Sequence, residues 1–181
     1  ASVTDSRVKV TNLQGETLQG DRAMVDILRE MGSQVKVGED YVEVNGAKEG
    51  LEGISINLRD APDLAPIYAV LGCLARGETF ISGVRRLRFK ESDRIASISS
   101  ELRKMGGEVT ESEDGLTIKG VNKLHGTEIN SYNDHRIAMA CAIAGLRAEG
   151  TTLIHGIECV NKSYPNFVKD LRSLGGEVHV K

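Results

Sequence analysis

Three short runs place cations and carboxylates side by side where a helix is predicted to begin: Lys90-Glu91-Ser92-Asp93-Arg94, Asn133-Asp134-His135-Arg136, and Lys162 just ahead of a helix from near Tyr164. A fourth candidate, Asp63, stands at the start of an apolar helix. A helix N-terminus carries about half a positive charge, so a Lys or Arg there costs about 0.3–1 kcal/mol unless something offsets it. One offset is a bound anion. Free backbone N–H groups, helix dipoles and cationic side chains that converge on one place make a strong anion site. A carboxylate such as Asp63 or Glu91 held beside those cations can then move protons on an anionic substrate as a general acid or base.

Local pairing is the competing account. Asp93 and Asp134 can cap their helices and neutralise the adjacent arginines. Asp63 can be an N-cap, with Pro66 in the first turn where its missing N–H does no harm. Glu91 can complement the dipole as a first-turn residue. His135 is more often a hydrogen-bonding residue in such a setting than a proton carrier, so it is an accessory candidate only. Spacing within one run does not decide between the accounts. Recurrence favours the anion site, since Lys90 and Lys162 are separated by almost the same stretch of chain as Asp63 and Asp134.

The elements that must position these residues recur with nearly the same period. Arg22 to Gly32 leads into Val35, Arg94 to Gly106 into Val109, and Phe167 to Gly175 into Val178, each an amphipathic helix stopped by Gly and followed by a short strand. Between them Asp63 to Val84 resembles Asp134 to Ile157, a more apolar helix, then Gly, then an alternating strand. Helices are predicted near 21–31, 63–75, 91–105, 134–147 and 164–174. Two repeat units follow, over 46–118 and 119–181, with residues 7–45 holding only the later half of one. Such a count predicts a piece of a longer protein, the alternative being an array with an atypical terminal repeat.

Composition excludes several classes. The 181 residues are 40% apolar and 27% charged, which is globular, and a net charge of -3 gives no bulk attraction to nucleic acid or an anionic membrane. Aromatic residues make up 4%, without Trp, too few for a base-stacking platform. Cys73, Cys141 and Cys159 form no zinc pattern, and neither do His125, His155 and His179. No window approaches 18 continuous apolar residues and no signal peptide is visible, so a reduced, cytoplasmic setting is expected.

The motifs Lys90-Glu91-Ser92-Asp93-Arg94, Tyr132-Asn133-Asp134-His135-Arg136-Ile137-Ala138-Met139 and Lys162-Ser163-Tyr164-Pro165-Asn166-Phe167 closely resemble the C-terminal part of the 5-enolpyruvylshikimate-3-phosphate synthase family. The resemblance takes in Arg7-Val8-Lys9-Val10-Thr11, Gln19-Gly20-Asp21 and Pro62-Asp63, and so nearly the whole chain. It implies an α/β fold, an inverse α/β barrel-like domain of repeated βαβαββ units with pseudo-threefold symmetry. Residues 1–181 would be the C-terminal one of two domains in an enzyme expected to be monomeric, with helix N-termini directed at the cleft between them.

The implied reaction adds the 5-hydroxyl of shikimate 3-phosphate to phosphoenolpyruvate through a tetrahedral intermediate and then releases phosphate, with no metal or organic cofactor. By motif, Asp63 would stand beside the 5-hydroxyl and Glu91 would exchange protons with the phosphoenolpyruvate methylene. Lys90 would lie beside shikimate 3-phosphate and Asp63. Arg94, Arg136 and Lys162 would hold the phosphate and carboxylate of phosphoenolpyruvate, Lys162 doubling as an acid. Arg86 and Leu87 depart from the family, in which many members have Asn and an aromatic residue there. The family's N-terminal Lys-Ser and Ser-Ser-Gln motifs, which contact shikimate 3-phosphate, have no counterpart in the chain, whose Lys162-Ser163 belongs to the C-terminal motif above, so it is expected to be inactive alone. Another acceptor for the enolpyruvyl group, or a non-catalytic anion-binding module of the same fold, are the alternatives.

Overall fold

Three helices end in the same way, and these endings organise the chain. The computed structural model describes residues 1–4, 6–13, 23–47 and 49–180. The Gln19-Gly20-Asp21 segment and Arg22, the predicted start of the first helix, lie outside the described residues. The first unit contains β1 (Arg7–Thr11), α1 (Ala23–Glu30), β2 (Gln34–Val37) and β3 (Tyr41–Asn45). The second runs through β4 (Leu51–Glu52), β5 (Ser55–Asn57), α2 (Ala65–Cys73), β6 (Ala75–Arg76), β7 (Glu78–Ser82), α3 (Arg94–Lys104), β8 (Glu108–Glu111) and β9 (Leu116–Lys119). The third has β10 (Leu124–His125), β11 (Glu128–Asn130), α4 (His135–Gly145), β12 (Ala148–Glu149), β13 (Leu153–His155) and α5 (Phe167–Ser173). The 3-10 segments Pro62–Leu64, Arg85–Phe89 and Ile157–Lys162 precede α2, α3 and α5.

Gly32, Gly106 and Gly175 close α1, α3 and α5 with φ of 96°, 89° and 93°. A left-handed residue there lets the last carbonyls find donors: the N–H groups of Ser33, Gly107 and Gly176 reach the carbonyls of Leu28, Leu102 and Leu171. Beyond each glycine the chain is pinned again, because Arg29, Arg103 and Arg172 donate to the carbonyls of Val35, Val109 and Val178 at 3.2, 2.7 and 2.7 Å. The pattern Arg-x-x-Gly-x-x-Val therefore ends a helix and sets the course of the segment that follows.

The same economy governs the strands. Parallel pairing of β4 with β6 matches Leu51 to Ala75, and the equivalent pairing of β10 with β12 matches Leu124 to Ala148, the same register one unit later. Parallel β5–β7 and β11–β13 repeat the relation, Ile56 opposite Ile81 and Ile129 opposite Ile154. β7 then continues antiparallel through β9 to β8, giving the four-stranded sheet β5-β7-β9-β8, while β1, β3 and β2 form an antiparallel three-stranded sheet.

α2, α3 and α4 pack on one another with strands against their outer faces, the inverse of an ordinary α/β barrel. α2 is apolar on every side and buries eight residues, among them Tyr68, Val70 and Leu71, as a helix without a polar face must. It packs on both α3 and α4, which also touch one another. Close approach depends on small residues: a Cβ on Gly72 or Gly145 would lie 3.0 or 3.1 Å from Cβ of Thr79 or Thr152. β7 shows the alternation of a sheet with one wet face, Thr79 and Ile81 inward, Glu78, Phe80 and Ser82 outward. Cys73, Cys141 and Cys159 are free and buried, and burial pushes the Cys73 and Cys141 thiols up to about 12. Among the described residues no helix is long and apolar enough to cross a membrane.

Gly53 and Gly126 mark equivalent close approaches of backbone to backbone in the second and third units, for a Cβ would fall 2.3 Å from the Glu78 carbonyl oxygen or 2.4 Å from that of Thr151. Replacing either by Ala is expected to lower unfolding free energy by about 1–3 kcal/mol in urea denaturation. A loss below about 0.5 kcal/mol would mean that the strands can part freely.

Candidate active site

Arg94 is the first residue of α3, and its helix starts there because Asp93 caps it, accepting from the Ala96 N–H at 3.0 Å. Glu91 therefore lies ahead of the helix and is not the first-turn dipole partner that the sequence allowed. The preceding arginines are occupied locally. Arg88 donates to Asp93 at 2.9 Å and to the Glu113 carbonyl at 3.1 Å, and Asp114 accepts from the N–H groups of Gly83 and Arg85. Leu87 is buried, and Arg86 donates to the Arg59 carbonyl at 2.7 Å.

The Arg94 side chain is only 2% exposed and carries three carboxylates. Its Nε donates to Asp134 at 2.7 Å, Nη1 to Asp63 at 2.8 Å, and Nη2 to Glu91 at 2.6 Å. Asp134 is fully buried and caps α4, accepting from the Arg136 N–H at 2.9 Å and the Ser92 hydroxyl at 3.1 Å. The sequence suggested that Asp134 would neutralise its neighbour Arg136. It does cap the helix, but its ion pair is with Arg94, across the interface between α3 and α4.

Asp63 is likewise not an N-cap. The chain winds the 3-10 turn Pro62–Leu64 before α2, Ala61 takes the cap position of that turn, and no side-chain cap bond forms at either helix start. Pro66 does sit in the first turn of α2, as expected. Asp63 is instead surrounded by cations, with Lys90 Nζ at 3.7 Å from Oδ1 and Arg136 Nη2 at 3.6 Å from Oδ2, while Arg136 Nη1 donates to the Asp63 carbonyl at 3.1 Å. Lys90, Glu91, Asp63 and Arg136 are each between 30 and 40% exposed, so the cluster opens to solvent around a closed Arg94. Lys162 ends the 3-10 segment Ile157–Lys162 and donates to the Asn133 carbonyl at 3.3 Å, beside the N-terminus of α4. His135 is half-buried and its Nδ1 has no hydrogen-bond partner. Among the described residues no three His, Cys, Asp or Glu side chains are grouped to hold a metal ion.

A family model for EPSP synthase (3-phosphoshikimate 1-carboxyvinyltransferase) matches residues 1–171. The chain belongs to the EPSP synthase family. It is 46% identical over 177 residues to the 3-phosphoshikimate 1-carboxyvinyltransferase of Methanocaldococcus jannaschii, covering 98% of this chain and 41% of that protein. Against the enzyme of the same name from Clostridium novyi it is 47% identical over 176 residues, covering 97% and 40%. Two structures of EPSP synthase from Acinetobacter baumannii superpose with TM-scores of 0.84 and 0.85 at 31% and 29% identity, over 96% and 100% of this chain and 43% and 44% of theirs. The chain thus spans about two fifths of the length of the curated relatives it matches. The EPSP synthase fold and the family named by the three motifs are those expected from the sequence.

Asp134 was missed as a partner of Arg94, and Ser92 as a donor to Asp134: Ser92 gives no signal of its own, and nothing local marks a contact between Arg94 and Asp134, 40 residues further along the chain. Burial raises the Asp134 carboxyl, but hydrogen bonds from Arg94, the Arg136 N–H and Ser92, together with the Arg94 charge, outweigh it and leave its pKa below the usual value. A depressed folded-state pKa gives stability that is present above the unfolded value of about 3.9 and is lost as pH falls through the folded one. Asp134→Asn is therefore expected to cost about 3 kcal/mol near neutral pH, where it takes from Arg94 the one fully buried carboxylate of its three. Chemical denaturation at several pH values should show the gap to the parent chain closing below about pH 4; a gap that stays constant to about pH 2 refutes the assignment.

Proposed function

We propose that this chain supplies the phosphoenolpyruvate-binding side of an enzyme that transfers the enolpyruvyl group to the 5-hydroxyl of shikimate 3-phosphate and releases phosphate. The observation that carries the reading is the half-exposed Asp63, Glu91, Lys90 and Arg136 gathered around buried Arg94 at the starts of α3 and α4. The relatives named as 3-phosphoshikimate 1-carboxyvinyltransferases support the choice of substrates.

In this reading Asp63 takes the proton of the 5-hydroxyl as its oxygen bonds to C2 of phosphoenolpyruvate, and Glu91 or Lys162 delivers a proton to C3, making it a methyl group. Loss of a C3 proton to Glu91 then expels phosphate from C2 and restores the double bond; the proton held on Asp63 leaves with the phosphate, and where Lys162 was the donor the proton on Glu91 returns to it, so protons and electron pairs balance over the cycle. Arg136 and Lys162 bind the phosphate and carboxylate of phosphoenolpyruvate, and Lys90 faces shikimate 3-phosphate. Arg94 reaches a bound anion only by exchanging a carboxylate partner; its standing work is to aim Asp63 and Glu91. The full enzyme would be a cytoplasmic monomer without metal or organic cofactor. The chain would act as one domain built of units 7–45, 46–118 and 119–181, joined to an N-terminal domain that completes the shikimate 3-phosphate site.

In the two-domain enzyme, Asp63→Ala and Glu91→Ala are each expected to lower kcat about 10²- to 10⁴-fold, as loss of a general acid or base does. Phosphate release at saturating substrates measures this, and near-normal turnover in both variants rules out the catalytic assignment. The purified chain alone is expected to show no steady-state turnover, with activity returning when the complementary domain is added. Turnover without that domain would refute the division of the site.

A further inference from the structure

A second buried carboxylate lies outside the site just described. Glu101 lies two turns beyond Arg94 along the same face of α3, and its side chain is fully buried. Its Oε1 accepts from the Tyr132 hydroxyl at 2.8 Å, its Oε2 from the Asn130 N–H at 3.1 Å, and both oxygens from Lys104 Nζ at 2.9 and 2.8 Å. A leucine would fill this core position without the cost of a buried charge. What the carboxylate adds is a hold on the segment that leads into α4.

That segment is strained. Tyr132 and Asn133 have φ of 53° and 54°, two successive left-handed residues, and Tyr has no side-chain adaptation to that conformation. Such residues persist where the surroundings over-determine them. The fold does not demand the strain: at the equivalent place in the second unit Asn57 Oδ1 accepts from the Arg59 N–H just as Asn130 Oδ1 accepts from that of Tyr132, yet Arg59 is not left-handed. The difference is length. Residues 58–64 separate β5 from α2, but only 131–134 separate β11 from α4, so the third unit reaches its helix by a shorter path. The compressed turn sets Asp134 as the cap that takes Arg94, and offers the Asn133 carbonyl to Lys162.

We propose that Glu101, acting through Tyr132 and Asn130, is a positioning residue that holds the left-handed turn and thereby places Lys162 and the N-terminus of α4 for phosphoenolpyruvate. Its role toward that substrate rests on the function proposed above; its role in holding the turn does not. The experiment compares Glu101→Gln and the milder Tyr132→Phe in the two-domain enzyme, alone and combined with Lys162→Ala. Each is expected to raise the KM for phosphoenolpyruvate about five- to tenfold, the size of a lost charged hydrogen bond, with the KM for shikimate 3-phosphate nearly unchanged. With Lys162 already Ala the further rise should be less than about twofold, since coupled residues are not additive. Equal effects in both backgrounds, or reduced kcat with unchanged KM, overturn the proposal. Should Glu101→Gln not fold, Tyr132→Phe decides. Hydrogen exchange needs no substrate: the amides of Tyr132, Asn133 and Asp134 should exchange faster in Tyr132→Phe while those of α2 do not change. Unchanged exchange at the turn overturns the positioning claim whether or not the enzyme reading stands.

Discussion

A guanidinium that is almost wholly removed from water must be paired, and the pairing of Arg94 constrains everything around it. Three N–H directions lying in one plane reach carboxylates from three separate segments: the turn before α2, the loop before α3 and the cap of α4. A lysine ammonium could not impose that arrangement, because its three donors rotate about a flexible stem and define no plane. The pairing also divides the carboxylates by role. Asp134 is fully buried and has its oxygens committed to Arg94, Ser92 and the Arg136 N–H, so it serves the structure alone. Asp63 and Glu91 each give an oxygen to Arg94 but remain partly open to solvent.

The repeat supplies the frame, and an irregularity within it sets one helix start apart from the other. Identical helix endings and matching strand registers would, on their own, present equivalent helix starts with equivalent side chains. The approach to α2 is longer than the approach to α4, and the extra length winds the 3-10 turn that carries Asp63. The shorter approach has no room for such a turn and is forced into the left-handed pair Tyr132 and Asn133, which brings Asp134 directly to the cap. One helix start therefore presents a half-exposed carboxylate and the next a buried one, from the same underlying unit.

Much of this was legible in the residues, for reasons that are local. Gly32, Gly106 and Gly175 stop helices by backbone conformation alone, and the recurrence of Arg-x-x-Gly-x-x-Val needed only the sequence laid against itself. Cations before helix starts are conspicuous because they oppose the dipole. What escaped were choices among partners. Asp63 satisfies every local requirement of an N-cap, and it is the distant Lys90, Arg94 and Arg136 that it faces instead. Asp134 and Arg136 are near neighbours in sequence, but their contact is through the backbone N–H, leaving the two side chains to different partners. Glu101 carried a readable signal that was overlooked, a carboxylate on the stripe formed by Ile95, Ile98 and Leu102.

The charge arrangement bears on how an anion would enter. Arg94, Lys90 and Arg136 are balanced by Asp63, Glu91 and Asp134, so the cluster holds no standing positive excess of its own. The pairs differ, however: those of Arg94 are short and its guanidinium is buried, whereas Lys90 and Arg136 stand 3.7 and 3.6 Å from Asp63 with solvent access. Exposed pairs at such distances are worth little, about 0–1 kcal/mol, and a phosphate or carboxylate that accepts directly from these cations can displace them. Their departure would leave Asp63 bound through Oδ1 to Arg94 while Oδ2, the oxygen that faced Arg136, became free to accept from a hydroxyl. Under the proposed function, binding of the anionic groups is thus the event that uncovers the base, and the buried Arg94 is what keeps that base in place when its other partners leave.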